Sequence, residues 1–271
     1  MYLEISRRFE FSSALRLFRR EWTDEENVAA FGKAAWGHGH GRNFILDVSV
    51  SGMVDPVNGM IVNLRDLDRW INAILVDFDH RNLNEDVPEF KDLVPTTENL
   101  AIVLWDRISG ALPDGVTLER VRVYESADVW IDCHGTDRVG AFQSFGFVAA
   151  HRLNSSELST AENEYIFGKC NHLHGHGHSY DVEVGLAASP DPVTGCAEGL
   201  SELRAVCGDV ATALDYTDID RDVELLDGKV STVENLLSSL WKIFHAKFHA
   251  NLMSVRLHET RRNSGSIQCA G

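Results

Sequence analysis

The sequence is short of basic residues and of long apolar runs, and each shortage excludes a class of protein. Its 25 lysine and arginine residues stand against 41 acidic ones, which leaves a formal net charge of -16. Nucleic acids and anionic membranes are bound through clustered positive charge, so we expect neither as a partner. No segment approaches the roughly 18 apolar residues of a membrane span, and residues 1–20 contain no signal-like apolar run. We therefore expect a cytoplasmic protein.

Cysteine is also scarce, and its arrangement does not suit a disulfide framework. The five cysteines are an odd number at irregular spacing, so we expect free thiols. Cys170 lies six residues before His176, among other reactive side chains. We interpret the remaining four as small, apolar residues: Cys133, Cys196, Cys207 and Cys269.

The most informative feature of the chain is an internal repeat. The segment FSSALRL from Phe11 returns as FVAAHRL from Phe147, and the same spacing relates DPV at Asp55 to DPV at Asp191. Most later motifs keep this offset. We therefore interpret the chain as a tandem duplication and assign residues 1–136 and 137–271 to two domains, each long enough to bury a core.

Hydrophobic periodicity predicts the same elements in both copies. Alternating apolar residues from Phe44 to Val50 and from Val182 to Leu186 predict half-buried strands. Apolar residues at intervals of three and four from Leu64 to Phe78 predict an amphipathic helix that ends just before Asp79. A second helix is predicted to begin near Thr97 with threonine as its N-cap, and its counterpart follows Thr232. Strands at residues 121–124 and 255–257 complete an α+β layout with an antiparallel sheet.

Three histidines of the second copy form a candidate metal site. His176 and His178 are one residue apart at the start of a predicted strand, so both rings point to one face, and His151 comes from the preceding strand. Zinc in catalytic sites takes three protein ligands, often imidazoles, and keeps a fourth position open. We predict Zn2+ on His151, His176 and His178, with His174 as an alternative to His176.

The first copy carries Leu15, His40 and Arg42 at the corresponding positions. Leucine cannot bind a metal ion, and arginine adds a positive charge where the cation would sit. We therefore expect no zinc in the first copy.

The two copies keep complementary halves of a proton-transfer set. Cys170 lies near the predicted cation, which favours the thiolate and makes it a competent proton acceptor, whereas the first copy has Ala34 there. Asp79 and His80 can orient each other as a charge relay, whereas the second copy has Asp215 and Tyr216. One complete set exists per chain, divided between the copies.

These motifs resemble those of the 6-pyruvoyl-tetrahydropterin synthase and 6-carboxytetrahydropterin synthase family, here as a tandem fusion of two units. The resemblance is carried by FVAAHRL, FGKCNHLHGHGHSY, DPVTG, PTTENL, Asp79-His80 and two strand-end glutamates, Glu125 and Glu259. It implies two tandem tunnelling-fold units, each an antiparallel four-stranded sheet with two helices. It also implies a homo-oligomer in which the units assemble into a barrel, with active sites between neighbouring units.

The resemblance further implies a zinc-dependent lyase of tetrahydrobiopterin biosynthesis, a carbon–oxygen lyase acting on phosphates. Its small-molecule substrate would be 7,8-dihydroneopterin triphosphate, from which triphosphate is eliminated. Cys170 would be the base, and Asp79 and His80 would be the relay from an adjacent unit. Glu259 would hold the pterin ring, and the residues that help to close the pterin slot would be Thr96, Thr97 and Glu98.

Two alternatives stay open. Cys170 and His176 have the spacing of the 6-pyruvoyl enzymes, but Cys170 and His174 also match the shorter spacing of the 6-carboxytetrahydropterin synthases of queuosine biosynthesis. Because Tyr216 has replaced the relay histidine, a weakly active or non-catalytic pterin-binding protein is the second alternative. A triphosphate substrate also requires local cations in so acidic a protein, for which the candidates are Arg16, Arg42, Arg152 and Lys169.

Overall fold

The computed structural model describes residues 2–135 and 139–269. They form two compact units. The first unit comprises the residues up to Ala141 together with Ala188–Glu198, and the second comprises Phe142–Ala187 together with the residues from Gly199 onwards. The repeat boundary predicted between residues 136 and 137 lies outside the described residues. A short segment of the second repeat, Ala188–Glu198, thus packs as part of the first unit.

The first unit is a sheet covered by helices. Its sheet order is β3-β1-β2-β4-β5, and the long strands pair antiparallel, whereas the two-residue β3 pairs parallel with β1. Short 3-10 helices lie at Gly32–Ala35 and Pro88–Lys91. The elements in chain order are β1 (Tyr2–Leu15), α1 (Asp24–Phe31), β2 (His40–Met53), α2 (Leu64–Leu75), β3 (Arg81–Asn82), α3 (Leu83–Asp86), α4 (Thr97–Ala111), β4 (Val116–Tyr124) and β5 (Val129–Cys133).

The second unit repeats this plan. Its sheet order is β8-β6-β7-β9-β10, in which β7 with β9 and β9 with β10 pair antiparallel, and the two-residue β8 pairs parallel with β6. Two 3-10 helices lie at Gly168–Asn171 and His249–Asn251. The elements are β6 (Val139–His151), α5 (Thr160–Phe167), β7 (His176–Ala188), α6 (Leu200–Leu214), β8 (Thr217–Asp218), α7 (Val233–Phe248), β9 (Leu252–Thr260) and β10 (Asn263–Gln268).

The core of each unit lies between the sheet and its longest helix. In the first unit α4 packs on β4 and β5, and Leu100, Leu104 and Ile108 of this helix are fully buried. Thr96 caps α4 by accepting a hydrogen bond from Asn99 N, and Thr232 caps α7 in the same way from Asn235 N. Within the described residues, no helix is both long and apolar enough to cross a membrane.

The predicted α+β class with an antiparallel sheet is confirmed, and the details differ. The helix predicted up to Phe78 ends at Leu75, and Phe78 enters the core from the following turn with no exposed surface. Each unit has a fifth, two-residue strand and more than the two predicted helices. Periodicity missed α1 and α5 because the only buried residue of each is an asparagine, Asn27 or Asn163.

That asparagine holds the segment between the first strand and the helix of each unit. The Asn163 Oδ1 accepts from Ser155 N at 2.8 Å, and its Nδ2 lies 2.9–3.1 Å from the carbonyl oxygens of Ser155, Leu158 and Ser159. Asn27 makes the corresponding bonds in the first unit. The side chain thereby satisfies backbone groups of the turn that precedes α5 and ties this turn to the helix.

We predict that Asn163→Ala lowers the free energy of unfolding by about 2–3 kcal/mol, because it removes the side-chain hydrogen bonds of the partly buried backbone groups of Ser155 and Leu158. Urea denaturation followed by circular dichroism measures the change. Glu164→Ala, at an exposed position of the same helix, is the control and should have little effect. Equal midpoints for the two variants would contradict the role assigned to Asn163.

Candidate active site

Three histidines converge at the junction of β6 and β7. His151 ends β6, and His176 and His178 lie at the start of β7 on one face of the strand. One ring nitrogen from each lies within 4.8 Å of the others, and Nε2 of His151 is 3.2 Å from Nε2 of His176. Tetrahedral zinc with bonds of about 2.0–2.1 Å places its ligand nitrogens about 3.3 Å apart. At least one pair therefore already has the spacing that zinc requires.

The alternative ligand His174 lies outside this cluster. It is exposed, and its ring packs beside that of His172, with 5.7 Å between the ring centroids. Among the described residues, the group able to hold a metal ion is formed by His151, His176 and His178.

The surroundings of the cluster fit a divalent cation. Nδ1 of His151 lies 2.9 Å from the carbonyl oxygen of Ser231, a contact that directs Nε2 towards the other rings. Nδ1 of His176 is buried and has no hydrogen-bond partner among the described residues. Burial is the largest cause that lowers the pKa of His176 and of His178, and Glu259 acts in the opposite direction. The pKa of these two rings is thus shifted towards the neutral form, which is the form that binds metal.

A glycine brings the two strands together at the cluster. Gly175 has φ +71°, and a Cβ atom there would lie 2.8 Å from the carbonyl oxygen of His151. Gly39 holds the same place in the first unit, with φ +93°, and a Cβ atom there would lie 2.7 Å from the carbonyl oxygen of Leu15. Only glycine permits this approach, which sets the start of the second strand directly beside the end of the first.

Glu259 faces the histidines from the neighbouring strand β9. Its Oε1 lies 3.8 Å from Nε2 of His151 and 3.8 Å from Nε2 of His178. Its Oε2 accepts a hydrogen bond from Asn263 Nδ2 at 2.7 Å, which orients the carboxylate. The side chain is 13% exposed, so a ligand at the histidine cluster can reach it.

Cys170 lies in the 3-10 helix Gly168–Asn171 and is half-buried. Two hydrogen bonds tie this helix to the residues that follow His151. Leu153 N donates to the carbonyl oxygen of Cys170 at 3.0 Å, and the buried Asn171 donates from Nδ2 to the carbonyl oxygen of Leu153 at 2.7 Å. The thiol and the first histidine ligand are therefore carried by directly connected segments.

In the first unit, an arginine binds the strand-end glutamate. Arg42, at the position of His178, approaches Glu125 Oε1 at 2.9 Å through one guanidinium nitrogen. Thr97 donates to Glu125 Oε2 at 3.2 Å, and Leu15 is buried at the position of His151. The guanidinium thus supplies positive charge to the glutamate on the side where the second unit has its histidines.

Asp79 and His80 form a hydrogen-bonded pair at the turn after α2. Asp79 Oδ1 lies 2.9 Å from His80 Nδ1 and accepts from Ser12 N at 2.8 Å. The Ser12 N–H is the largest cause that lowers the pKa of Asp79, and His80 adds to it. His80 has φ 56° and its side chain is 82% exposed, so its Nε2 is open to a neighbouring molecule.

The second unit keeps the backbone part of this arrangement without the imidazole. Asp215 Oδ1 accepts from Val148 N at 2.9 Å, and Tyr216 has φ 58° and is 88% exposed. The aspartate therefore has a structural role in both repeats, and the histidine is the feature specific to the first.

Thr96, Thr97 and Glu98 lie in the first unit, beside Glu125. Thr96 Oγ1 donates to the carbonyl oxygen of Gly195 at 2.7 Å, and Glu98 Oε1 accepts from Ala197 N at 2.7 Å. Burial raises the pKa of Glu98. Of these predicted slot residues, Thr96 and Glu98 are thus bonded to the Ala188–Glu198 segment and Thr97 to Glu125, whereas Glu259 belongs to the second unit.

The sequence reasoning missed Tyr180. This residue follows His178 on the same face of β7, with 5.7 Å between the two ring centroids, and it is 1% exposed. Its hydroxyl is buried and has no hydrogen-bond partner among the described residues. The signal available in the sequence was the comparison of the repeats, because the first has Phe44 at this position.

We predict that the purified protein carries about one zinc ion per chain and that His151→Ala abolishes it, because two imidazoles alone hold zinc weakly. Plasma mass spectrometry after dialysis measures the content. His174→Ala is the control, since His174 lies outside the cluster, and this variant should keep its zinc. Loss of zinc from His174→Ala with retention in His151→Ala would contradict the ligand set.

Comparison with known proteins identifies the family. The sequence profile of 6-pyruvoyl tetrahydropterin synthase matches residues 4–136 and again residues 141–269. The 6-pyruvoyl tetrahydrobiopterin synthase of Homo sapiens is 46% identical over 124 residues, which cover 45% of this chain and 85% of that protein. A putative 6-carboxy-5,6,7,8-tetrahydropterin synthase of Archaeoglobus fulgidus is 35% identical over 96 residues, which cover 35% of this chain and 76% of that protein.

Among solved structures, the 6-pyruvoyl tetrahydropterin synthase of Caenorhabditis elegans is 34% identical, and the match covers 49% of this chain and 96% of that one, with a TM-score of 0.46. The two profile matches lie side by side and together span nearly the whole sequence. The resemblance and the predicted enzyme class, a carbon–oxygen lyase acting on phosphates, are thus confirmed at the level of the family. The chain belongs to the 6-pyruvoyl tetrahydropterin synthase family, with two family units in tandem.

Proposed function

We propose that this protein is a zinc-dependent lyase of the 6-pyruvoyl-tetrahydropterin synthase type. Its substrate is 7,8-dihydroneopterin triphosphate, and triphosphate is eliminated. The observation that carries the proposal is the convergence of His151, His176 and His178 beside Glu259. In this proposal residues 137–271 form the zinc-binding unit and residues 1–136 form a degenerate unit without zinc or a catalytic cysteine.

Glu259 binds the pterin ring. A carboxylate accepts two roughly parallel N–H bonds from the amidine edge of a pterin, and this geometry fixes both the position and the orientation of the ring. Asn263 Nδ2 holds one carboxylate oxygen, so the plane of the acceptor is set before the substrate arrives. Nε2 of His151 and Nε2 of His178 each lie 3.8 Å from Oε1 of Glu259, so the group that binds the ring adjoins the groups that would hold the cation.

His151, His176 and His178 would hold the zinc ion, which when bound would supply Lewis-acid chemistry that makes the C–H bonds beside the side-chain oxygens of the substrate more acidic. Burial lowers the pKa of His176 and of His178, which favours the neutral form that binds metal. The contact of His151 with the Ser231 carbonyl orients the His151 ring before the ion binds.

Cys170 Sγ, as the thiolate, accepts the proton from the substrate carbon. His80 then exchanges that proton through Nε2, because Asp79 Oδ1 occupies its Nδ1 at 2.9 Å. The lowered pKa of Asp79 keeps this carboxylate ionised, and an ionised partner stabilises the imidazolium during the transfer.

Lys169 is the best placed of the candidate cations for the triphosphate. It precedes Cys170, is exposed, and its charge acts on both His176 and His178. The other three candidates are engaged elsewhere: Arg152 with the carbonyl oxygen of Asn171, Arg42 with Glu125, and Arg16 with the carbonyl oxygen of Ala35 and with Asp24. An exposed ammonium beside the cluster can bind the leaving group without closing the pocket.

The active site is shared between a second-repeat unit and the first-repeat unit of a neighbour in a homo-oligomeric barrel. The first repeat retains His80 but has Ala34 in place of the cysteine. The second repeat retains Cys170 but has Tyr216 in place of the histidine. The high exposure of His80 supports this proposal, because a relay that serves a neighbouring unit must project from its own.

A 6-carboxytetrahydropterin synthase activity is the second candidate. It is favoured by the similarity to the Archaeoglobus fulgidus protein of that putative function. Incubation of the purified protein with 7,8-dihydroneopterin triphosphate, followed by mass spectrometry, separates the two products. A weakly active pterin-binding protein would give bound substrate and little product of either kind.

We predict that Cys170→Ala and His80→Ala each reduce turnover at least about 100-fold while zinc stays bound, because each removes a proton-transfer group. Co-expression of the two variants should restore about a quarter of the wild-type activity when sites form between chains, since mixed dimers then contain one intact site. Zinc content and product formation are measured on the same samples.

Full activity of His80→Ala alone would overturn the shared site. Absence of restoration in the mixed sample would place the relay and the thiol of one site on the same chain. Asp215→Ala is unsuitable as a control because it removes a backbone contact, so Tyr216→Phe is used, and it should leave turnover unchanged.

A further inference from the structure

In the first unit, the start of α4 binds the loop Ala188–Glu198, which belongs to the second repeat. In the first unit, Thr96 Oγ1 donates to the carbonyl oxygen of Gly195, and Glu98 Oε1 accepts from Ala197 N. Gly195 and Ala197 are buried there, although the other end of the same loop, at Asp191, is exposed. This contact is specific, because it joins two backbone groups of the loop to two side chains at the start of α4.

The first repeat contains the same loop in the same conformation. Asp55 N donates to the carbonyl oxygen of Met60 at 2.9 Å, and Gly59 N donates to the carbonyl oxygen of Asp55 at 2.8 Å. In the second repeat, Asp191 N donates to the carbonyl oxygen of Cys196 at 2.9 Å, and Gly195 N donates to that of Asp191 at 2.7 Å. Gly59 has φ +75° and Gly195 has φ +73°. In contrast to Gly195, however, Gly59 is exposed, and Met60 beside it is 44% exposed.

The second repeat contains the corresponding receiving surface, which comprises Thr232, Val233, Glu234 and Asn235 at the start of α7. Thr232 caps its helix as Thr96 does, and Asn235 Nδ2 donates to the carbonyl oxygen of Val230 at 2.8 Å, as Asn99 does to that of Val94. Glu98 is 4% exposed under its loop, whereas its counterpart Glu234 is exposed. The surface is thus preformed and uncovered.

We propose that the loop Asp55–Val62 of one chain docks on Thr232–Asn235 of a second copy of this chain. Glu234 accepts from Ile61 N of the docked loop, as Glu98 accepts from Ala197 N. Thr232 donates to the carbonyl oxygen of Gly59, as Thr96 donates to that of Gly195. Each chain offers one free loop and one free surface, so the contact is heterologous and the smallest closed assembly has two chains.

The glycine of the loop explains how closely the partners approach. A Cβ atom on Gly195 would lie 2.2 Å from Asn99 Nδ2, so the received loop has no room for a side chain. A Cβ atom on Gly59 meets nothing within 4 Å in the described part of a single chain. Against Asn235 of a second copy, the same atom would collide.

One contact of the received loop has no counterpart. Arg19 donates to the carbonyl oxygen of Val193 at 3.2 Å in the first unit, and the second repeat has Ser155 in place of Arg19. The contact between chains is therefore held by fewer hydrogen bonds than the one within the chain. Unlike the contact within the chain, it separates on dilution.

This inference deepens the proposed function, since it names the surface through which a partner reaches the unit that carries Glu259 and the histidines. The experiment that tests the docking requires neither bound zinc nor a measurement of turnover, because it measures assembly directly. An assembly without activity would refute the proposed function alone, and activity without this contact would refute the docking alone.

Sedimentation equilibrium of the full chain over a range of concentrations tests the docking. We predict that the wild type self-associates and that Gly59→Ala raises the dissociation constant at least about tenfold, because the added methyl group collides with the partner. Gly228→Ala is the matched control: its φ of +76° imposes the same backbone strain, and nothing lies within 4 Å of its Cβ position. It should assemble as the wild type does.

A wild type that stays monomeric at tens of micromolar overturns the proposal, as does Gly59→Ala assembling like Gly228→Ala. Cross-linking provides a second measurement in case both glycine variants unfold. In a Cys269→Ser background, which removes the exposed native thiol, the double variant Met60→Cys/Glu234→Cys treated with a short bismaleimide should give a covalent dimer that neither single variant gives. Absence of that band in an assembled sample contradicts the assigned surface.

The buried hydroxyl of Tyr180 carries a second, independent inference. The repeats keep the same ring stacking here, with centroids 4.8 Å apart for Phe147 and Tyr180 and 5.2 Å apart for Phe11 and Phe44. A phenylalanine therefore fills the position without loss of packing, and the hydroxyl is present only in the repeat with the histidine cluster. A buried donor without a partner is costly unless a ligand completes its hydrogen bond.

We infer that the Tyr180 hydroxyl donates a hydrogen bond to a side-chain oxygen of the pterin substrate at the histidine cluster. The ring centroid lies 5.7 Å from that of His178 and 6.3 Å from that of His151, so the tyrosine ring lies beside the cluster. Tyr180 is thus a substrate-positioning residue that distinguishes ligands by their side chain.

Isothermal titration of the zinc-loaded protein with neopterin and with unsubstituted pterin tests this role. We predict that Tyr180→Phe weakens neopterin binding about tenfold, because one buried hydrogen bond is lost, and leaves pterin binding unchanged. Tyr165→Phe, at a 90% exposed position, is the control and should change neither affinity. Equal effects of Tyr180→Phe on both ligands, or none on either, contradict the inference, and the zinc content of the variant verifies its fold.

Discussion

The candidate site depends on the close approach of two strands at a glycine. Gly175 lets the start of β7 lie against the carbonyl of His151, and Gly39 does the same against Leu15 in the first repeat. The backbone frame is therefore common to both units, and the chemistry of each unit follows from the side chains at the strand ends. Three imidazoles at these positions form a group able to hold a metal ion, whereas the first repeat has a leucine, a histidine and an arginine there.

Electrostatics distinguishes the two strand-end glutamates. A partly buried carboxylate requires positive charge or hydrogen-bond donors nearby. Glu125 obtains them from Arg42 and Thr97, whereas Glu259 faces the histidine cluster. Arg42 thus places a guanidinium where the second repeat has His178, and the first unit carries the Asp79–His80 pair and the loop at Gly59.

The sequence predicted the parts that depend on local pattern or on the repeat. The alternation around Phe44 and the N-caps at Thr96 and Thr232 indicated strands and helix starts, because strand faces and caps follow from neighbouring residues. His151, His176 and His178 were found because the two repeats differ there. The helices α1 and α5 were missed because a buried asparagine, and not an apolar stripe, holds each of them. The bonding of Thr96 and Glu98 to the loop at Gly195 was also missed, because a contact between segments about 100 residues apart leaves no local pattern.

The central claim is a division of labour, in which the second repeat binds the cation and the first repeat of a neighbour supplies the relay. A crystal structure of the zinc-loaded protein, with anomalous data collected at the zinc edge, tests it most directly. The account predicts one anomalous peak per chain among His151, His176 and His178, with His80 of a second chain facing Cys170. A peak beside His40 and Arg42, or a second-repeat site faced only by Tyr216, would contradict it.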